Sequence, residues 1–314
     1  MLSSCDRDDF EPESVTLPSE WYIYDIRRSN RDLLHVFFTD TLVGWIIAND
    51  FNIPLHKFQN GELFKTFDGG LTWASVIKFD FGINDIFFVD KNKGWLVGED
   101  GRILKSIDGG SNWILQYKTW FALESIHFLN QNTGWVAGGG GTIYKTNDSG
   151  NKWTKIETGI HSWIYDVWFV NENYGCFSSE HLYHTVNGGL SWEKTEDYMG
   201  LIMDLFFVDA YNGWGVGQYG TIIYTNDIGK NWEYQSEFQW DGGEIKVSWL
   251  SSVYFIDKNH GLSVGYNYIY STEDGGKNWI IDSVDQSIFL NDIFFVGNQG
   301  WIVGDTGVIL KSIQ

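Results

Sequence analysis

The chain is short of cysteine, proline and positive charge. Its 314 residues include 2 Cys and 3 Pro, and 41 Asp and Glu outnumber 21 Lys and Arg, which gives a net charge of −20. The two cysteines, Cys5 and Cys176, form no disulfide framework and no zinc-ligand spacing. The negative charge repels phosphate backbones, and no Lys/Arg-dense stripe reverses this locally, so the composition argues against nucleic acid as a partner.

Long apolar runs, helical periodicity and common catalytic motifs are also missing. No run of 18 or more apolar residues occurs, so we expect no transmembrane span. The seven His are dispersed, and Gly-x-Ser-x-Gly, phosphate-loop and dinucleotide motifs do not occur, so we expect no cofactor and no metal. Aromatic residues are abundant instead, at 18% of the chain with 17 Trp, which predicts a folded globular protein.

Residues 1–20 are predicted to be a flexible acidic tail. Leu2-Ser3-Ser4-Cys5 resembles the lipobox at which bacterial lipoproteins are cleaved and lipid-modified on the cysteine, and the acidic residues 6–18 fit a spacer behind an anchor. Only Met1 precedes Leu2 here, without the charged and apolar regions of a secretory signal. Lipid attachment at Cys5 of a bacterial cell-envelope protein and a chance match both stay open.

An internal repeat is the main feature of the sequence. The segment from Thr66 to Trp73 returns five more times, and its leading Ser or Thr recurs once more near the end of the chain. These leading positions are 66, 106, 146, 185, 225, 272 and 312, which gives steps of 40, 40, 39, 40, 47 and 40 residues. Seven units are therefore predicted.

Each unit contains four short apolar or alternating runs separated by turn residues, which we denote strands A to D. Four strands in about 40 residues is the period of a β-propeller blade. We therefore predict an all-β fold over residues 21–314, a single seven-bladed propeller of four-stranded antiparallel blades. The last unit stops at its third strand and residues 21–28 resemble the missing fourth, so the N-terminal strand is predicted to close the ring on residues 290–314.

The six complete boxes match the Asp-box, or bacterial neuraminidase repeat, Ser/Thr-x-Asp-x-Gly-x-x-Trp, with Asn187 once in place of Asp. The carboxylate can accept turn N–H groups, Gly permits positive φ, the hydroxyl ties the turn back, and Trp fills the gap between sheets. Because every blade has this box, we interpret it as a structural device rather than a catalytic or calcium site.

The blade pattern resembles the photosynthesis system II assembly factor-like propellers. An apolar strand, Asp-x-x-x-Gly-Trp, x-Val-Gly and Ile-x-Lys-Ser/Thr precede the box, most clearly in residues 90–106, 130–146, 209–225 and 297–312. Members of that group help to assemble a membrane complex by binding protein. The resemblance implies a non-enzymatic binding or assembly protein, and the motif specifies architecture better than function.

Sialidases and other glycoside hydrolases carry the same repeat. Sialidase-like enzymes hold the substrate carboxylate with three arginines from separate blades, whereas four of the five Arg here lie at or before position 31 and only Arg102 lies elsewhere in the ring. A standard sialidase is therefore disfavoured. Another carbohydrate-active enzyme, using two carboxylates at the propeller mouth, stays open as the alternative.

Four tryptophans fall outside the repeat. Seven of the 17 begin a strand D, five follow the strand-B Gly, and Trp168 takes the place of Phe87 in a strand A. The remainder all lie between a strand D and the next strand A: Trp120, Trp163, Trp240 and Trp249. Such D-to-A loops emerge on one face of a propeller, where Trp contributes most to binding.

The two longest insertions are predicted on that same face, residues 49–60 as a B-to-C loop and residues 236–248 as a D-to-A loop. We therefore predict an aromatic partner-binding surface there, for a protein or a glycan. Its predicted residues are Trp120, Phe121, Trp163, Tyr198, Trp240 and Trp249, with Asp166, Asp204, Asp241 and Glu244 as polar contacts. Further rings in these loops are Phe79, Phe81, His161 and Phe289. Alternatively, some rings cover the channel or pack under neighbouring loops.

Equivalent positions at the start of the innermost strands are predicted to converge at the channel mouth. They are His35, Asp85, Ser125, Asp166, Asp204, Ser252 and Asp292. Such a ring could hold a cation or sugar hydroxyls, or its side chains could simply cap blade turns and bind channel water. We expect a monomeric, non-catalytic binding module.

Overall fold

The structure is a computed structural model, and it describes residues 21–25, 31–52, 57–195, 200–235, 249–284 and 288–312. The predicted tail with Cys5 lies outside these residues, as do four predicted site residues: Tyr198, Trp240, Asp241 and Glu244. No helix in the described ranges is long and apolar enough to cross a membrane.

Within these ranges the chain forms seven four-stranded antiparallel sheets, which confirms the predicted all-β propeller. Blades 1 and 2 comprise β2 Asp32–Phe38, β3 Gly44–Asn52, β4 Lys57–Thr66, β5 Ala74–Lys78, β6 Ile83–Phe88, β7 Gly94–Gly98, β8 Arg102–Ser106 and β9 Ile114–Lys118. Blades 3 and 4 comprise β10 Leu123–Phe128, β11 Gly134–Gly138, β12 Thr142–Thr146, β13 Thr154–Ile156, β14 Asp166–Phe169, β15 Gly175–Ser178, β16 Leu182–Thr185 and β17 Glu193–Lys194.

Blades 5 and 6 comprise β18 Ile202–Phe207, β19 Gly213–Gly217, β20 Ile222–Thr225, β21 Glu233–Tyr234, β22 Leu250–Phe255, β23 Gly261–Gly265, β24 Tyr268–Thr272 and β25 Ile280–Ser283. Blade 7 comprises β26 Leu290–Val296, β27 Gln299–Gly304, β28 Val308–Ser312 and β1 Trp21–Asp25. Each innermost strand A contacts the strand A of the next blade, and β26 contacts β2, so the blades form a closed ring.

The N-terminal strand closes the ring as predicted. β1 pairs antiparallel with β28, with Trp21 opposite Ser312 and Asp25 opposite Val308. The Trp21 ring meets Phe295 edge-on, with centroids 6.2 Å apart. Pairing of these two strands removes the free edge that β28 would otherwise present.

A Phe at or next to the end of each strand A packs in the core between blades. In blade 2 the Phe88 ring stacks on Trp45 of blade 1, with centroids 3.8 Å apart, and meets Trp113 of its own blade edge-on at 6.0 Å. A Cβ on Gly94 would lie 2.5 Å from the Phe88 ring, so only glycine fits there. The stack recurs at four further blade junctions: Trp95–Phe128, Trp135–Phe169, Trp214–Phe255 and Trp301–Phe38.

The Asp-boxes have the roles that their sequence predicts. In the first box, Asp68 Oδ1 accepts a hydrogen bond from Thr72 N at 2.9 Å, and Thr66 Oγ1 accepts one from Gly70 N at 2.9 Å. The hydrogen bonds from Thr72 and Thr66 lower the pKa of Asp68 to about 2. Gly69 and Gly70 have φ values of 69° and 84°. The box therefore fixes the conformation of the turn between strands C and D.

The predicted B-to-C loop at residues 49–60 is wrong. β3 continues to Asn52 and β4 starts at Lys57, and Asp50 pairs with Gln59 across them. Continuing the ladder satisfies backbone N–H and C=O groups that a loop would leave to water. Blade 1 therefore extends as a hairpin.

Candidate functional site

Strand A carries two successive channel-facing residues in most blades because a β-bulge lies near its start. The register shifts between Leu33 and His35 in blade 1 and between Ile83 and Asp85 in blade 2. Four more strands shift at the equivalent place, namely β10, β18, β22 and β26. A bulge places an extra residue on one strand and re-aims its side chain. Both the bulge residue and the next one therefore line the channel.

The predicted convergence of the strand-A positions is confirmed. All seven line one central cavity of about 420 Å³. We call this set the polar ring: His35, Asp85, Ser125, Asp166, Asp204, Ser252 and Asp292. Since strands A start at the D-to-A loops, the ring lies near the face formed by the D-to-A and B-to-C loops, which we call the D-to-A face.

The carboxylates of the polar ring tie neighbouring blades together. Asp85 Oδ2 accepts a hydrogen bond from the backbone N–H of Ile126 in the next blade, at 2.7 Å. The same contact recurs three times: Asp166 with Leu205 at 2.9 Å, Asp204 with Val253 at 2.8 Å and Asp292 with Val36 at 2.8 Å. At four junctions these carboxylates therefore have a structural role, but they bind strand A of the next blade and not the blade turns that the alternative hypothesis named. Asp166 and Asp204 both line the central cavity.

His35 carries the positive charge of the polar ring. Burial opposes this charge, but the hydrogen bond and attraction of Asp292 raise the pKa of His35 to about 9, aided by Asp85 and Asp204. His35 Nδ1 lies 3.4 Å from Asp292 Oδ2. Burial raises the pKa of Asp85 to about 7 despite the attraction of His35, and burial also raises the pKa values of Asp166 and Asp204. Several buried carboxyl groups therefore surround a single imidazolium, that of His35.

A closed belt of rings lies two residues further along each strand A. We call it the aromatic belt: Phe37, Phe87, His127, Trp168, Phe206, Tyr254 and Phe294. Each member contacts the next around the circle, with centroids between 4.5 and 5.8 Å apart. Burial lowers the pKa of His127 to about 4, and its Nε2 donates to the Phe169 carbonyl at 2.9 Å. The belt therefore lines the channel about 6–7 Å below the polar ring, one strand repeat deeper.

Exposed aromatic side chains occupy the D-to-A face. Trp120 is 98% exposed, Phe121 52%, Trp163 41% and Trp249 38%. Trp249 also lines the central cavity. The Trp163 side chain lies beside the carboxylate of Glu124, a bulge residue that lines the same cavity, and favours its charged form. The described part of the predicted surface thus meets the channel mouth.

Four consecutive glycines, residues 138–141, make room for two of these rings. A Cβ on Gly139 would lie 3.1 Å from both the Phe121 Cβ and the Trp163 ring, and a Cβ on Gly140 would meet the Phe121 ring at 2.7 Å. Equivalent loops elsewhere carry side chains, such as Tyr219 at a φ of 58°. Blade 3 therefore holds Phe121 and Trp163 over bare backbone.

Some loop aromatics pack inward. Phe81 is buried, beneath the Arg102 guanidinium, which lies 4.6 Å from its ring centroid, and beside Phe79. Phe289 lines the central cavity, and His161 is exposed. The alternative reading of these loops holds for Phe81 and Phe289.

Metal ligands and a reactive thiol are two further features to consider among the described residues. No group of three or more His, Cys, Asp or Glu there could hold a metal ion. Cys176 is buried where five other blades have a strand-B Trp, and burial raises its thiol pKa, so it is inert.

The aromatic belt and the glycine run are not among the features predicted from the sequence. The belt has a sequence signal, since each member follows its polar-ring residue by two positions and all seven are ring side chains. The run of residues 138–141 is visible too, but only the structure shows that the rings of Phe121 and Trp163 lie over Gly139 and Gly140.

Comparison with known proteins agrees with the fold. A family model described as photosynthesis system II assembly factor YCF48 matches residues 74–159 and 235–314. A curated relative, photosystem II assembly lipoprotein Ycf48 of Synechococcus sp. (strain CC9902), is 40% identical over 65 residues, or 19% of this chain and 20% of the relative. The match thus spans about a fifth of that relative's length.

Solved structures match over nearly the whole chain. YCF48 bound to a D1 peptide superposes with a TM-score of 0.75 at 21% identity, covering 96% of this chain and 97% of the other. YCF48 from Cyanidioschyzon merolae gives 0.72 at 19% identity, covering 93% and 98%. The WD40 repeats of RRP9 give 0.75 at 10% identity, covering 96% and 100%, so these likenesses concern the fold. Because the family model covers more than half of the sequence, the chain belongs to the photosynthesis system II assembly factor YCF48 family of β-propellers.

Proposed function

We propose that the protein is a non-catalytic binding propeller that presents its D-to-A face to a partner protein, as an assembly factor does. The observation that carries this proposal is the cluster of exposed Trp120, Phe121 and Trp163 beside the channel mouth. Exposed aromatic side chains are costly in water and dominate protein interfaces when buried by a partner. A family relative has been solved with a peptide of D1 bound, which supports a protein ligand.

A hydrolase at the channel mouth is a weaker proposal. Asp166 accepts hydrogen bonds from Leu205 N and from the Ser125 hydroxyl, and Asp204 accepts one from Val253 N. Carboxylates committed to backbone N–H groups are poorly placed to transfer protons to a sugar. We therefore propose that these residues stabilise the contacts between neighbouring blades.

The proposed location is a bacterial cell envelope, with the chain tethered through a lipid on Cys5. The lipobox-like start and the lipoprotein name of the Synechococcus relative support this proposal. Metabolic labelling with an alkyne fatty acid tests it. A label that is retained in Ser4→Ala and lost in Cys5→Ser is expected, and an unlabelled wild-type protein would contradict the tether.

A pull-down from envelope extract tests the binding proposal. The full chain is compared with a Trp120→Ala/Trp163→Ala variant and with a matched Leu190→Ala/Tyr211→Ala variant. The latter pair is exposed too, but it lies in A-to-B and C-to-D turns on the opposite face. We expect loss of at least about tenfold of captured partner in the first variant only. Equal capture by all three proteins would sink the proposal, and binding confined to a parallel glycan array would replace the protein partner with a glycan.

A further inference from the structure

The central channel is an unbalanced acidic cavity. Five carboxylates line it, and neither Lys nor Arg is among the described residues that do so. They are Asp85, Glu124, Asp166, Asp204 and Asp292. His35 balances one of these charges through Asp292. Burial raises the pKa values of Asp85, Glu124, Asp166 and Asp204, and a cation placed among these carboxyl groups would favour their charged forms and be attracted by them.

Glu124 is the most available of these carboxylates. The amide of Asn84 donates a hydrogen bond to it at 3.1 Å and Trp163 lies beside it, whereas the four Asp carboxylates accept hydrogen bonds from backbone N–H groups of the next blade. Burial, with repulsion from Glu99, raises the pKa of Glu124 to about 7. A carboxylate accepts about four hydrogen bonds, so acceptor capacity remains.

The lower wall of the cavity suits the same kind of ligand. The aromatic belt surrounds the channel below the carboxylates with seven mutually contacting rings. Ring faces attract ammonium and guanidinium groups, and the attraction grows when water is excluded. A cavity of about 420 Å³ is within the size range of pockets for small ligands and can take one long side chain.

We propose that the channel mouth receives the side chain of a lysine or arginine carried by the partner segment, while neighbouring apolar residues of that segment pack on Trp163 and Phe121. The inference rests on the proposed function, since it specifies the chemistry of the segment that the D-to-A face binds. Charge complementarity carries it: the acidic cavity opens beside the exposed rings, and Glu124, which lines the cavity, lies next to Trp163.

A position-scanning peptide array tests the inference with the full chain. One position of a short peptide is fixed as Lys, Arg, norleucine, Gln or Glu, and the other positions are equimolar mixtures. We expect Lys or Arg to be retained at least about tenfold better than norleucine. Glu124→Gln and Asp204→Asn should remove this preference, and Glu273→Gln should keep it. Glu273 is exposed in an Asp-box turn on the opposite face, so the control changes the net charge equally.

A second readout is displacement of the retained peptide by n-butylammonium, compared with displacement by n-butanol. If Asp204→Asn does not fold, the result for Glu124→Gln alone tests the inference. Equal retention of Lys and norleucine peptides would overturn the inference. So would an equal loss in Glu273→Gln, because that result means long-range attraction only. Absence of any retained peptide, when the pull-down partner binds through Trp120 and Trp163, would also overturn it and leave the proposed function standing.

Discussion

His35 stands where the other six blades place Asp or Ser in the polar ring. Its contact with Asp292 joins the first blade to the last, at 3.4 Å. A single substitution in the repeat has thus placed a cation among carboxylates that would otherwise only repel one another.

The titration of His35 predicts a loss of stability at high pH. The pKa of His35 is about 9 in the folded protein and about 6.5 in an unfolded chain. The protonated imidazole therefore contributes fully to the free energy of unfolding below pH 6.5, and this contribution is lost as the pH rises through 9. We expect Tm to fall by several degrees between pH 6.5 and 9.5. In His35→Gln the fall over that interval should be much smaller, as thermal unfolding followed by circular dichroism can show. Parallel curves for the two proteins would refute this assignment.

Ile228 occupies a strained position in the fifth Asp-box. Its φ is 69°, where the fourth box has Gly188 at 72°. A left-handed conformation costs a non-glycine residue about 1–2 kcal/mol. We expect Ile228→Gly to raise the free energy of unfolding by about 1 kcal/mol in urea titrations. This net gain is the strain relieved in the folded protein minus the extra conformational entropy that glycine gives the unfolded chain. The reverse change, Gly188→Ala, should lower it by a similar amount, and a loss in both variants would contradict the strain.

At the scale of elements, the junction between blades depends on the Trp–Phe stack. Trp135 is fully buried against Phe169, with centroids 3.9 Å apart. We expect Trp135→Ala to lower the free energy of unfolding by about 3–5 kcal/mol. Trp120→Ala serves as the control, since its side chain is 98% exposed and the change should stay within about 0.5 kcal/mol. Similar losses of unfolding free energy in both variants would contradict this assignment, because they would mean that Trp120 also packs in the core of the propeller.

The blades could be predicted from sequence because each one repeats the same local signals. The Gly of the Gly-Trp pair, the Asp-box and the apolar strands all recur at one period. A departure from the pattern in one unit, such as Asn187, therefore does not obscure the assignment of that unit. The hairpin at residues 49–60 could not be predicted in this way, because it occurs once and its strands continue through backbone pairing rather than through a repeated pattern.

The site was only partly predictable for a related reason. The exposure of Trp120 and the place of Asp204 in the ring follow from the repeat. A carboxylate of the polar ring accepts its hydrogen bond from a backbone N–H group of the next blade, as Asp166 does from Leu205, and the spacing of residues in the sequence does not specify that partner. The link between Trp163 and Glu124 likewise joins two different blades and leaves no trace in the spacing of residues.

At the scale of the molecule, ring closure predicts the effect of shortening the chain. A protein that begins at residue 20 keeps β1, whereas one that begins at residue 26 loses the partner of β28 and the contact of Trp21 with Phe295. We expect the first to unfold like the full chain. The second should lose about 3–5 kcal/mol of stability and associate at high concentration through its free edge. Urea unfolding and light scattering measure both effects, and a monomeric, equally stable second protein would contradict closure by β1.

The shared seventh blade also sets the order of events during synthesis. The strand made early, β1, pairs with the strand made last, β28, while the six other blades use strands that follow one another in the chain. Joining such distant segments costs conformational entropy before any contact rewards it. We therefore expect blades to form in sequence on the ribosome and closure to be the slow final step. Until then the nascent chain exposes the edges of an open ring, and chaperones would act on this species.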